Sequence, residues 1–184
     1  MSGAFYEFEQ VDVFTAGAIG EPGARVFYLQ AQRGRQRVEV KCEKQQVAAI
    51  ANYLRRVLND LPPPEDRPLD AALRLRQPVA EAFVLGPIGL GYDRATDRLV
   101  VQLEEIGAER DLEDADDPDV AAAIEAMREA VGGTGEGHIR LYVTRGQALA
   151  FCDHADAVIA AGRPDCRWCS RPIDPDGHEC PRMN

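Results

Sequence analysis

The sequence lacks long apolar runs, a surplus of positive charge, a leader and an obvious catalytic set. No apolar stretch approaches the roughly 20 residues that a bilayer-spanning helix needs. Its start, Met1-Ser2-Gly3-Ala4-Phe5-Tyr6-Glu7, has no basic segment followed by an apolar one. Both absences argue against a membrane and lead us to expect a cytoplasmic protein. Lys and Arg number 21 against 31 Asp and Glu, a net charge of −10. Affinity for nucleic acid rests on cations that neutralise phosphates, so a general nucleic-acid surface is not expected, which leaves room for a local basic spot. The five cysteines are odd in number, and three crowd the C-terminus, which disfavours a disulfide framework. No Ser, Cys and His set suggests a nucleophilic triad.

What remains is ordinary for one folded domain of 184 residues, with 45% hydrophobic and 28% charged residues. Phe8, Val11, Val13 and Phe14 open a strand-rich run that Gly17–Gly23 interrupts with a turn or bulge. Alternation predicts strands at about Arg25–Ala31 and Arg37–Cys42, with a tight turn at Arg33-Gly34-Arg35. Val47, Ile50, Leu54, Val57 and Leu58 then fall on one face of a helix over about Glu43–Asn59. Pro62-Pro63-Pro64 stops that helix, and Leu61–Pro78 reads as a Pro-rich linker or long loop. Ala82–Tyr92 and Arg98–Glu105 read as a hairpin around the polar turn Asp93–Asp97. Asp117-Pro118 starts a further helix, with Gly132-Gly133 as its end.

Ile139, Leu141 and Val143 mark another strand. Thr144 and Gln147 fit a capping box for the last helix, whose apolar face is Ala148, Phe151, Cys152, Ala155, Val158 and Ile159. Val38–Val47 can be laid over Ile139–Ala148 without a gap, matching strand alternation, a basic residue and the glutamine. Any strand entering a capped helix shares this look; the sharper reading is two related β-rich half-units. The expected class is α+β, with mainly antiparallel sheet, about three packed helices and a small C-terminal zinc knuckle. The expected division is a body over 1–162, with half-units at about 1–61 and 79–162, and a tail over 163–184.

The tail carries the strongest chemical signal. Cys166 and Cys169 are separated by two residues, and a Pro/Asp/Gly loop returns the chain to His178 and Cys180. Three thiolates and one imidazole complete a tetrahedral zinc site of the structural kind. A tail this poor in apolar residues would draw its folding free energy from one such ion. Arg167, Trp168, Arg171 and Arg182 surround the cluster, but Asp165, Asp174, Asp176 and Glu179 offset their charge.

Other motifs are weaker. Gly86-Pro87-Ile88-Gly89-Leu90-Gly91 lacks the strand-to-helix context of a phosphate loop and reads as a bulged strand. The acidic run Glu104–Asp119 lacks the spaced ligands of a calcium loop. His138 and His154 read as surface histidines, Cys42 and Cys152 as small buried hydrophobes. Glu21, Arg25, Lys44 and Gln46 would line one anion pocket if the first turn folded over the start of the first helix.

Several of these segments together resemble one family. They are Gly17–Ala31, Glu43–Ala49, Leu90-Gly91-Tyr92-Asp93, the helix start Thr144–Gln147 and the Cys166–Cys180 tail. Nearly the whole chain is similar to an actinobacterial family catalogued as domain of unknown function 3090, although Ala18 stands where that pattern has threonine. The family has no established activity. Its members tend to be encoded beside a phosphomutase-like protein and a lipid-kinase-like one, which implies a pathway handling a phosphorylated compound. Two functional expectations follow. The first is a cytoplasmic zinc-binding adaptor that engages a protein partner. The alternative is an enzyme or enzyme subunit acting on a phosphorylated metabolite with the phosphomutase-like partner.

Overall fold

The computed structural model describes residues 5–107, 137–162, 166–171, 173 and 177–182. Strands β1 (Phe5–Phe8), β2 (Val13–Ile19), β3 (Val26–Arg33) and β4 (Gln36–Cys42) precede helix α1 (Lys44–Asn59). Strands β5 (Glu81–Asp93), β6 (Arg98–Glu105) and β7 (His138–Val143) precede helix α2 (Arg145–Ala160). The strands form one sheet in the order β1-β7-β6-β5-β4-β3-β2. Four of its pairs are antiparallel, as expected, but β4–β5 and β1–β7 run parallel. Parallel neighbours require a crossover, and α1 supplies it between β4 and β5. Two α-helices stand among the described residues; the further helix expected after Asp117 lies outside them.

The glycine-rich stretch after Phe14 behaves differently from its reading. β2 continues through Gly17 to Ile19, and the reversal comes later. Gly20 and Gly23 take positive φ angles of 106° and 101° there, a backbone region open to glycine at little cost.

Both helices begin by the same device. At α2, the Thr144 hydroxyl accepts from the Gln147 N–H (3.1 Å), and the Gln147 side chain accepts from the Thr144 N–H (2.9 Å). At α1, the Gln46 side chain accepts from the Glu43 N–H (2.8 Å). Each glutamine then uses its amide N–H outward. Gln46 donates to the Leu85 and Gly86 carbonyls of β5, and Gln147 donates to the Val11 carbonyl ahead of β2. Helix starts are left with unpaired N–H groups; these boxes satisfy some and fix where each helix meets the sheet.

The equivalence extends along the helices at a spacing of 101 residues. Val47, Ile50, Ala51 and Leu54 are buried on α1; Ala148, Phe151, Cys152 and Ala155 are buried on α2. Corresponding positions touch. The Cys152 thiol donates to the Ala51 carbonyl (3.3 Å), and one turn on Arg55 pairs with Asp156 (2.6 Å). Position-for-position contact over two successive turns is the mark of helices running side by side in one direction. The sheet is curved: Tyr6 of β1 lines the same cavity as Arg37 of β4, four strands away in the sheet order.

The stretch Leu61–Pro78 is a strap held against the body at several points. Arg145 donates to the Pro62 carbonyl (2.5 Å), Thr15 to that of Leu73 (2.5 Å) and Arg37 to that of Pro78 (2.7 Å). Buried Gln30 holds Arg76 through both its backbone N–H and its carbonyl (3.0 Å each). A short 3-10 turn, Asp70–Leu73, buries Leu73. At Gly146 the strap comes closest: a Cβ there would stand 1.7 Å from the Asp66 carbonyl oxygen. Gly146→Ala must therefore displace backbone. We expect a loss of about 1–3 kcal/mol, typical of overpacking, with faster proteolysis within 61–78. Denaturant melts and limited proteolysis check this; unchanged values for both would show that the strap yields freely.

Candidate metal centre

The tail is built around a turn. The Ser170 N–H donates to the Cys166 carbonyl (2.8 Å), and the Cys166 N–H donates to the Arg171 carbonyl (2.7 Å). Ser170 has φ 57°, a left-handed value uncommon outside glycine. This closure lets the Trp168 N–H point at the Cys166 sulfur (3.4 Å). Gly177, at φ 91°, turns the returning chain just before His178.

Cys166, Cys169, His178 and Cys180 consequently converge, with their ligand atoms all within 4.8 Å of one another. The Cys166 and Cys180 sulfurs are 3.9 Å apart, and the Cys169 sulfur lies 3.2 Å from His178 Nε2. The spacing fits one small ion. With metal–sulfur bonds of about 2.3 Å and metal–nitrogen bonds of about 2.0 Å, a tetrahedron has S···S edges of about 3.8 Å and S···N edges of about 3.5 Å. Cys166 is buried, and Cys169 and Cys180 are half-buried.

Local electrostatics favour a thiolate at Cys166. The Trp168 N–H, then the Cys169 N–H, hold its pKa below the ordinary thiol value. At Cys180 the Arg182 N–H pulls the same way, but desolvation and the neighbouring Cys169 and Cys166 sulfurs outweigh it and raise the pKa. Metal ligation by cysteine requires the thiolate, so these four residues could hold a metal, Cys166 being the readiest donor.

Two of the other candidate residues, Arg25 and Gln46, are engaged in the fold. Arg25 donates to the carbonyls of Val158 (2.8 Å) and Ile159 (3.5 Å) at the end of α2, and its guanidinium lies 4.9 Å from the Phe27 ring centre. Gln46 is taken up by the α1 cap and β5. Glu21 lies in the exposed turn after β2, where its carbonyl accepts from Ala24 N–H (2.9 Å), and Lys44 is exposed. Among the described residues, no hydrogen bond or ion pair joins any two of these four side chains. Gly86–Gly91 lies inside β5, where the register shifts between Leu85 and Ile88, so it is a bulged strand.

Neither histidine of the body is a free surface group. His138 stacks on Phe5, with ring centres 5.5 Å apart. His154 is half-buried on α2, and desolvation lowers its pKa against opposing contributions from an Ala16 backbone hydrogen bond and the Asp70 charge. The polar side of the helix is covered here because Asp70, in the strap, comes alongside it.

A family profile described as protein of unknown function (DUF3090) matches residues 6–180. The chain belongs to this family. The match takes in the sheet, both helices and all four potential metal ligands. Comparison with curated proteins and with solved structures gave no match. No helix among the described residues is long and apolar enough to cross a membrane.

Proposed function

We propose that this DUF3090 chain is a cytoplasmic binding protein whose C-terminal cluster holds one structural zinc ion and presents the tail to a protein partner. The observation that carries this reading is the convergence of three thiols and one imidazole within 4.8 Å. Four protein ligands leave no open position for a substrate, which separates structural from catalytic zinc. The partner reading rests on Trp168, half-exposed beside the cluster, with the Arg167 guanidinium 4.8 Å from its ring centre. Trp and Arg are the residue types most enriched at binding hot spots. The alternative, an enzyme on a phosphorylated metabolite using Glu21, Arg25, Lys44 and Gln46, has less support because Arg25 and Gln46 are engaged in the fold.

Elemental analysis and native mass spectrometry of the untagged protein test the metal. One zinc per chain is the expected result, falling below one in Cys166→Ser. A protein purified without chelator that carries no metal, and takes up none when zinc is added, would end the proposal. The partner is tested by pull-down with Trp168→Ala alongside the wild type at equal zinc content. Loss of a stoichiometric co-purifying protein in the variant supports a tail interface; an identical set of partners removes it.

A further inference from the structure

A cavity of about 750 Å³ opens far from the cysteine cluster in sequence, where the strap enters the sheet. Ligand sites commonly measure about 300–1,000 Å³. Tyr6 of β1, Arg35 and Arg37 of the β3–β4 hairpin, Arg76 of the strap, Glu39 of β4 and Glu81 of β5 line it. These groups are scattered in sequence. The parallel β4–β5 pairing puts Glu39 and Glu81 side by side in register, and the shift immediately after them leaves Ala82 without a partner on β4. Such bulges recur beside functional sites, where they re-aim side chains.

The cavity has a fixed base. Glu39 is only 3% exposed, and its carboxylate is ion-paired with Arg37 and accepts from the Gln30 amide (3.0 Å). Gln30, itself buried, clamps the Arg76 backbone and so sets where the Arg76 side chain emerges. Arg37 is fixed again by donating to the Pro78 carbonyl. By contrast, the guanidiniums of Arg35 and Arg76 have no hydrogen-bond or ion-pair partner among the described residues. Three guanidiniums face two carboxylates, one of which is already neutralised by Arg37. The local balance is therefore positive, in a chain whose net charge is −10.

We infer that this cavity is a binding site for a small oxyanion-bearing molecule. Arg35 and Arg76 take its phosphate or carboxylate group, and the exposed Glu81 carboxylate accepts from hydroxyl or amino groups on the same ligand. Guanidinium groups suit planar and tetrahedral oxyanions because they donate two parallel hydrogen bonds. Acceptors across the cavity select a ligand that also carries donors.

The test is a titration of the ¹⁵N-labelled full chain with inorganic phosphate and, separately, with citrate at matched ionic strength. A site here predicts saturable amide shifts concentrated at Gly34–Glu39 and Arg76–Ala82. The two probes separate phosphate from carboxylate preference, and saturation by either supports the site. Arg35→Ala combined with Arg76→Ala should weaken binding at least tenfold, about 1.4 kcal/mol. Both side chains are exposed, and Gln30 holds only the Arg76 backbone, so the fold should survive; amide spectra of the free variant verify that. Arg94→Ala, on an exposed turn away from the cavity, should bind as the wild type does. The inference is overturned if neither anion gives saturable shifts at these residues, or if Arg94→Ala weakens binding as much as the double variant.

Discussion

On the proposed zinc reading, chelating the metal from the native chain is expected to expose three reactive thiols and leave two protected. The protected pair are Cys42 and Cys152, 5% and 0% exposed. Burial, followed by the adjacent Glu43 charge, pushes the Cys42 thiol up to about 12. Burial likewise carries Cys152 to about 11, against the opposing charge of Arg55. The thiolate is the nucleophile, so at neutral pH neither reacts without unfolding. Cys166 is as buried as Cys42 in the folded tail, but Cys166, Cys169 and Cys180 all lose that shelter when the tail unfolds. Structural zinc in small modules supplies about 10–16 kcal/mol of apparent binding free energy at pH 7, and its removal should unfold the tail.

Thiol titration with a chromogenic disulfide should therefore read zero with metal bound, three after chelation and five in denaturant. Three reactive thiols before chelation would mean that no metal protects the cluster. Five after chelation would mean that the body depends on the tail. The same shifts set a pH limit. In the unfolded chain these thiols ionise near their ordinary value, whereas in the folded chain they ionise only at about 11 and 12. Above pH 9 the unfolded state holds fewer protons than the folded one, so stability falls as pH rises from there toward 12.

The parts legible in the sequence were those encoded by side-chain pattern. Leu99, Val101 and Leu103 alternate in composition and are buried in β6. Val47, Ile50 and Leu54 keep helical spacing and are buried on α1. Thr144 with Gln147 announced a cap because two side chains must sit three residues apart for that geometry. The spacing of the tail was legible to the extent that Cys166, Cys169, His178 and Cys180 do lie close together.

What stayed hidden is carried by backbone groups and by distance along the chain. The strap looks like a linker because most of its anchors are backbone groups, among them the carbonyls of Pro62, Leu73, Arg76 and Pro78. A carbonyl has no signature in composition. Parallel pairing of β4 with β5 depends on where α1 delivers the chain, and no residue in either strand states it. The partners of Arg25 were hidden for a related reason: they are carbonyls at the end of α2, more than 130 residues away. The oxyanion cavity combines Tyr6, Arg35, Arg76 and Glu81, which no local motif could have joined.

Phe151→Ala should be the most damaging single change in the body. Phe151 is fully buried on α2 and stacks on Phe14 of β2, with centroids 4.5 Å apart and planes 7° from parallel. It occupies the position that Ile50 holds on α1, at the 101-residue spacing. Truncating a buried phenylalanine costs about 3–5 kcal/mol, because the void adds to the lost transfer free energy. Neighbours cannot close that void easily. Cys152 is tied to Ala51, and Gln147 is tied to Val11, so α2 is anchored on either side of the gap. For a domain of this size the loss corresponds to a fall in Tm of roughly 6–20 °C. It is also a large share of a total stability of about 5–15 kcal/mol. A double-mutant cycle with Phe14→Leu isolates the stacking contribution, expected at about 0.5–1.5 kcal/mol. On the proposed zinc reading, metal content should stay at one per chain at temperatures where the variant is folded, since Cys166, Cys169, His178 and Cys180 all lie outside the body. A loss below about 1 kcal/mol would mean that α2 relaxes into the space, and that its contact with β2 is looser than the stacked rings imply.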